Sequence, residues 1–414
     1  MKITVLSDFH FGYGYNTELE EDSFTNADEA MQQALDSDII IIAGDIFDSR
    51  YPKTPVWSAA IKTLVKPLTA ESRGVSFVSC TKELKKVSKR TLDRTPVIAL
   101  HGNHERRGRS TNTLEALENA GLLVHLHCDT IVLEKDGVRV AIHGMSWVPD
   151  RYAKRVFDEW GPKPLPGCVN ILLIHQSISP YVYSPLEKPS IDTKNLPKNF
   201  DIIVDGHLHG AGRETVEGTP LLFPGSTVIT QFNKAEAESE KGIYEIEVSV
   251  DENSRRKIDF YFKPIESRRR FFFEDVQTAG GLRMNIEKKL DELLARQFKK
   301  KPLIKLKIIG SESDYVEQDV KEIERKYGQQ AILRFVKDLE SPEITEKVEF
   351  LRNLREQKLS AEEIGLNLLN KNLEEIGFKS SFDADNIFNL LVDERVDEAF
   401  NIVTGSQKTL TEIL

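Results

Sequence analysis

Cysteine is scarce: three residues among 414, Cys80, Cys128 and Cys168, odd in number and far apart. That excludes a disulfide framework or a zinc ribbon and suits a reducing compartment. The three read most simply as small buried residues. No run approaches the roughly 18 to 20 apolar residues that a membrane span needs, so no membrane is expected. The opening, Met1-Lys-Ile-Thr-Val-Leu, runs straight into a strand pattern. It lacks the three-part layout of a signal peptide, so a cytoplasmic chain without a targeting signal is expected. Internal repeats and low-complexity tracts are missing. Positive charge is in deficit, with 56 Lys and Arg against 66 Asp and Glu and a formal net charge of −10. A general nucleic-acid binder has the opposite balance. Nucleic-acid chemistry here would need a local basic surface, or a partner that supplies one.

What is present fits a soluble chain of two or three domains, since 414 residues exceed one ordinary core. Up to about Pro264, apolar strand runs alternate with helix-like stretches. The strand runs are Ile3–Leu6, Ile39–Ile42, Val97–Leu100, Val138–Ile142, Ile171–Ile174 and Ile202–Val204. Helical spacing covers Asn26–Ser37 and Thr111–Ala120, the latter opened by Asn112 with Glu115 three residues on. This alternation predicts an α/β domain, a sheet covered by helices. Four consecutive isoleucines, Ile39 to Ile42, predict a strand buried on both faces. Later strands crowd together (Pro220-Leu-Leu-Phe, Gly242–Val248, Lys257–Phe262), and Asp251-Glu-Asn-Ser between the last two predicts a hairpin turn. A small α+β unit follows: strand Phe271–Val276, helix Leu282–Phe298, strand Leu303–Ile309, helix Tyr315–Tyr327, strand Ala331–Val336. Past Pro342 the chain has no proline. Apolar residues recur there at helical spacing, first from Ile344 to Leu354. A capping box at Ser360 and Glu363 opens a second helix, and Asp383 caps a last one carrying Ile387, Leu390, Leu391, Val396 and Phe400.

Five segments share one layout, an apolar strand followed by residues that bind metals. They are Val5-Leu-Ser-Asp8-Phe-His10, Ile42-Ala-Gly-Asp45, Leu100-His-Gly-Asn103-His104-Glu105, Leu173-Ile-His175 and Val204-Asp-Gly-His207-Leu-His209. Each motif alone is weak. Five in a row, each at a strand end, form a strong signal, because open α/β sheets place their chemistry at carboxyl ends of strands. Oxygen and imidazole donors without thiolate suit manganese, iron or zinc rather than calcium or a structural zinc. We expect Asp45 to bridge two ions.

In this order the motifs resemble the calcineurin-like metallophosphoesterase superfamily. Ser7-Asp8-Phe-His10-Phe-Gly12, Glu20-Glu-Asp-Ser-Phe24 and Phe223-Pro-Gly-Ser226 narrow the resemblance to the Mre-eleven/SbcD-type double-strand-break repair nucleases. It is specific over residues 1–235 and loose beyond about 265. It implies a β-sandwich flanked by helices over residues 1–264, an α+β DNA-capping domain over 265–338 and a helical ATPase-binding region over 339–414. Carried over residue by residue, it implies one metal on Asp8, His10, Asp45 and His209 and a second on Asp45, Asn103, His175 and His207. His104 would face the scissile phosphate as a catalytic group rather than a ligand. The implied cofactor is two Mn2+ per subunit. The implied partners are DNA ends, hairpins or single strands, a Rad-fifty/SbcC-type coiled-coil ATPase bound through the C-terminal helices, and a second copy in a homodimer associated with the nucleoid. The alternative on the same metal site is a phosphodiesterase or phosphatase for a small or non-DNA substrate. Many members of the family carry His where this chain has Asp48, and an acid there would repel phosphate. Residues 70–94 look inserted between the second and third motifs.

Other residues have plainer readings. His125 and His127 share one face of a strand without a glycine turn, which makes them a structural pair. His101 and His143 read as satisfied core histidines. Arg106, Arg107 and Arg109 directly follow the third motif and are candidates for the phosphate backbone. The run Lys82, Lys85, Lys86, Lys89, Arg90 and Arg94 reads equally well as a solvated face. Arg296–Lys307, six bases and no acid, is an even choice between a DNA-facing edge and a solvated one.

Overall fold

The computed structural model describes residues 1–105, 112–182, 189–250, 256–340, 366, 369–370, 383–392 and 395–404. By internal contacts the chain forms two compact units. One comprises Met1–Val276, Ile286–Lys307 and Glu317–Val336, the other Gln277–Asn285, Ile308–Val316 and Lys337–Leu414.

The first unit is built on two sheets. One has six strands in the order β15 (Arg256–Pro264), β14 (Gly242–Val250), β1 (Lys2–Leu6), β2 (Ile39–Ile42), β4 (Val97–Ala99) and β5 (Val124–His125). The other has seven, in the order β12 (Gly212–Val216), β13 (Thr219–Phe223), β11 (Ile202–Asp205), β8 (Val169–Ile174), β7 (Val138–Met145), β6 (Asp129–Lys135) and β3 (Ser76–Cys80). Strands β1, β2 and β4 run parallel, as do β7, β8 and β11.

The isoleucine run shows how the layers form. Successive side chains of a strand point to opposite faces. Ile39 and Ile41 join Ile3, Val5 and Ile98 against Ile142, Ile171, Leu173 and Val204 of the other sheet. Ile40 and Ile42 face outward onto Ala27, Ala30, Met31, Val56, Ala60 and Leu117 of the flanking helices. On the far face of the second sheet, Leu172, Ile174, Ile203 and Leu221 pack on Ala153 and Phe157 of the helix Asp150–Trp160. The result is the expected sandwich of two sheets between helices.

Several boundaries move. The first helix spans Glu20–Ala34 rather than Asn26–Ser37, because Glu20, Glu21 and Asp22 stabilise its first turn against the helix dipole. The Asn112 cap is made, with its Oδ1 accepting from Glu115 N at 2.8 Å. Residues 70–94 supply the antiparallel edge strand β3 and two short helical turns, Leu84–Lys86 and Lys89–Leu92. The turn at Asp251–Ser254 lies outside the described residues. So do the helical spacing from Ile344 and the capping box at Ser360.

A third sheet orders β16 (Phe271–Gln277), β17 (Leu303–Ser311) and β18 (Ile332–Glu340) side by side. Within the first unit, Phe271, Leu303 and Ile332 pack with Leu19, Tyr13 and Phe232. The buried Arg269 donates twice to Asp22, and Lys300 donates to Asp22 and Thr25 at 3.1 and 2.7 Å. Lys305 donates to the Phe232 carbonyl at 2.6 Å. Lys300, Lys301 and Lys305 of the basic stretch Arg296–Lys307 are thus engaged inside the protein, Lys301 with Glu18. In the second unit, Ala384–Val392 and Val396–Thr404 are two helices where the sequence suggested one, and Asp383 Oδ1 accepts from Asn386 N at 3.3 Å.

Candidate metal centre

All five motifs lie at carboxyl ends of parallel strands. Asp8 and His10 follow β1, Asp45 follows β2, and Asn103 and His104 follow β4. From the other sheet, His175 follows β8 and His207 and His209 follow β11. The chain turns sharply at these ends. Asp8, His10 and Asp45 have φ of 50°, 45° and 47°, the left-handed region that L residues seldom occupy. Such strain persists where surrounding bonds over-determine it. Here Asp8 N donates to the Gly44 carbonyl and His10 N to the Asp45 carbonyl, both at 3.0 Å. The glycines beside the donors are forced by contact. A Cβ on Gly102 would stand 2.1 Å from Asp45 Oδ1, and one on Gly44 would stand 2.2 Å from His175 Nδ1.

Three overlapping groups of donors can hold a cation: Asp8, His10 and His209; His10, Asp45 and His104; Asp8, Asp45 and His175. Within each group the donor atoms lie within 4.8 Å of one another. His10 Nε2 and His209 Nε2 are 3.2 Å apart. That is the spacing of two nitrogens sharing one ion at about 2.1 Å each. His175 Nε2 lies 3.3 Å from Asn103 Oδ1 and 3.4 Å from Asp45 Oδ2. His207 is beside His175, ring centroids 5.5 Å apart, but is not in a close donor group.

The residues fit a cation. Asp8 is fully buried, and neither carboxylate oxygen has a hydrogen-bond partner among the described residues. The adjacent Ser7 hydroxyl donates to the Gly206 carbonyl instead, at 3.2 Å. A buried carboxylate without partners is costly, and a bound cation removes that cost. Burial pushes the Asp8 carboxyl well above its usual range, partly opposed by His175. Burial also opposes charge on Asp45, yet His175, His10 and His104 outweigh it and hold that carboxyl far down. On His175 burial is again outweighed, by Asp45 and Asp8, and its pKa rises to about 10. Burial, then His10, keep His209 well below the usual imidazole range, the neutral form that a ligand needs.

Partners of the imidazoles fix which nitrogen is turned to the site. His175 Nδ1 donates to the Ala43 carbonyl at 2.7 Å, leaving Nε2 for the site. His209 Nδ1 meets Thr230 Oγ1 at 2.6 Å. His104 donates through Nδ1 to the Asp48 carbonyl at 2.8 Å, and its backbone N–H donates to Asp45 Oδ1 at 3.0 Å. The Asp48 carboxylate stands 3.2 Å from His10 Nδ1 and 3.7 Å from His104 Nδ1, turned towards imidazoles.

Some residues had no role in the sequence reading. Glu105 is buried and accepts from Phe47 N at 2.7 Å and Gly102 N at 3.0 Å, clamping the second and third motifs together. Burial, then the charge of Asp45, push its carboxyl up to about 8. Buried Asp205 accepts from Gln176 N and His207 N at 3.1 and 3.3 Å. Both sit inside the motifs, so their place was visible but their task was not. Thr230 carries no sequence signal.

The remaining candidates divide. Arg106, Arg107 and Arg109 lie outside the described residues. Lys82 is structural: it donates to Glu118 and to the His125 carbonyl. His143 is a satisfied core residue, 3.0 Å from Thr130 Oγ1 and 3.1 Å from Asn170 Oδ1. His101 Nδ1 meets His125 Nε2 at 2.9 Å behind the third motif.

Residues 1–211 match the model of the calcineurin-like phosphoesterases. The chain belongs to this family. The family implies divalent metal ions, and the donor groups above can hold them. This phosphoesterase is similar to the DNA double-strand break repair protein Mre11 of Methanopyrus kandleri, at 27% identity over 262 residues, 59% of this chain and 52% of that one. It is similar to the double-strand break repair protein MRE11 of Mus musculus, at 25% identity over 319 residues, 67% and 43% of the two chains. It is also similar to Mre11 of Thermoplasma acidophilum, at 27% over 359 residues, 84% and 86%. The chain spans about half the length of the first two. Among the described residues, no helix is long and apolar enough to cross a membrane.

Proposed function

We propose that the chain is a two-metal DNA nuclease of double-strand-break repair that hydrolyses phosphodiesters at DNA ends. The observation that carries this reading is the gathering of Asp8, His10, Asp45, His175 and His209 into overlapping donor groups that can hold a cation; His104, within reach in one of them, is assigned here to the phosphate. Asp8, His10, Asp45 and His209 hold the first ion. Asp45, Asn103, His175 and His207 hold the second. A pair of bound divalent cations, here Mn2+, neutralises charge on a phosphoryl oxygen and activates water. Asp45 would serve both ions, and its buried carboxylate, held far down chiefly by His175, would need no proton removed first. His104 is about one third exposed, more open than the buried Asp8, His10, Asp45 and His175. With Nδ1 committed to the Asp48 carbonyl, its Nε2 is the nitrogen left to meet the scissile phosphate and give a proton to the leaving oxygen.

Similarity to Mre11 proteins supports DNA as the substrate. Residues 265–338 then cap the DNA and residues 339–414 dock on a Rad-fifty-type ATPase. Exposed Leu391, Val396, Phe400 and Ile402 on the last two helices support that docking. The active form is a homodimer. Arg106, Arg107 and Arg109 supply a local basic surface to the acidic chain.

The test is cleavage of an end-labelled duplex or hairpin with Mn2+, beside a generic small phosphodiester. Mn2+-dependent trimming or nicking of the DNA, stopped by a chelator, is expected. Turnover of the small ester with the DNA left intact would move the assignment to a small-substrate phosphodiesterase.

A further inference from the structure

The fully buried Lys241 lies just before β14, 32 residues beyond His209 in sequence. All three hydrogens of its ammonium group have acceptors. It donates to the His209 carbonyl at 3.0 Å, to Ser226 Oγ at 2.8 Å and to Glu236 Oε1 at 2.8 Å. Glu236 is itself buried, and its Oε1 also accepts from Thr230 N at 3.1 Å. Thr230 Oγ1 then meets His209 Nδ1 at 2.6 Å. Lys241 thus reaches His209 by two routes, directly at its carbonyl and through Glu236 and Thr230 at its ring. The same loop touches the first motif, where Thr227 N donates to the Asp8 carbonyl at 3.3 Å.

A buried ion pair adds little net stability, because taking both charges out of water offsets their attraction; apolar replacements of similar size often fold as well. Retaining one here calls for another reason, and its geometry supplies it. The pair fixes the backbone of His209 and, through Thr230, holds its ring at Nδ1.

We propose that Lys241, Glu236 and Thr230 are positioning residues that aim His209 Nε2 at the first metal of this phosphoesterase. This deepens the proposed function and rests on His209 being a ligand. The hydrogen bonds of the network and its loop run to His209 and Asp8, both assigned to the first ion. Its loss therefore lowers affinity at one ion site and leaves the other unchanged.

The experiment is Mn2+ titration by calorimetry of the full chain, its Thr230→Val variant and the double variant Lys241→Met with Glu236→Gln, with thermal unfolding alongside. Partners of metal-bound histidines typically contribute about 10- to 100-fold in affinity. Thr230→Val is expected to weaken one of two Mn2+ sites by about tenfold or more while Tm is retained. The double variant is expected to weaken the same site, and raised Mn2+ is expected to restore cleavage in both. Wild-type affinity at both sites in Thr230→Val would overturn the proposal, even if the double variant fails to fold. Equal weakening of both sites together with a lower Tm would overturn it as well, since that marks general destabilisation. A wild-type chain that binds no Mn2+ would remove the ligand assignment and this proposal together.

Discussion

The two sheets contribute to the site in different ways. From the first sheet come Asp8, His10 and Asp45, held by strained backbone and by bonds between neighbouring turns. From the second come His175 and His209, aimed by partners far along the chain: the Ala43 carbonyl, Thr230, and Lys241 behind it. On the first side the motifs hold one another, through bonds that run from one recognisable motif to the next. On the second the motif names the donor but not what orients it.

The comparison can be broken at its first-sheet side. His104→Ala removes the group proposed to meet phosphate and leaves the proposed metal ligands in place. A proton donor of this kind contributes about 10²- to 10⁴-fold, so kcat should fall by that order with Mn2+ occupancy near normal. Loss of both ions in that variant would make His104 a ligand.

A smaller effect should come from Glu105, which ties two first-sheet motifs together. Its carboxyl is pushed from the usual glutamic range up to about 8 in the metal-free chain. The folded state therefore holds a proton that the unfolded state releases near pH 4.5, and folding stability falls as pH rises from about 4.5 to about 8. Glu105→Gln, neutral at every pH, should lose that part of the slope when metal-free unfolding by denaturant is followed across this window. Glu105→Ala leaves two buried N–H groups unsatisfied and should cost about 1–3 kcal/mol for each. An unchanged slope in Glu105→Gln would mean the proton is not on Glu105.

The smallest effect should come from the lysines of residues 70–94. Among the described residues Lys85 and Lys86 pair with exposed Glu83, and such surface pairs contribute little. Lys85→Gln with Lys86→Gln should leave Tm and cleavage unchanged. Weakened DNA binding, with a shallower salt dependence, would instead make this run part of the DNA surface.

The contrast between the sheets also marks what the sequence could show. Ile39 to Ile42 announced a central strand buried on both faces, but not which isoleucines face the other sheet. Asp8-x-His10 and Gly44-Asp45 were legible because a strand end and a donor lie within a few residues. The start of the first helix was missed, since its acidic turn looks like a loop until the dipole is counted. Lys300, Lys301 and Lys305 resembled a nucleic-acid edge, because a local run of charge does not reveal Asp22, Glu18 or the Phe232 carbonyl opposite it. The Lys241 network was invisible for the same reason: its members are joined by folding, not by spacing.

The most direct test of the central claim is a count of Mn2+ bound per chain, in the wild type and in Asp45→Asn, after dialysis at equal free metal. A site bridged by Asp45 predicts two ions in the wild type and loss of tight binding of both in the variant. One ion in the wild type, or two retained without the Asp45 carboxylate, would contradict it.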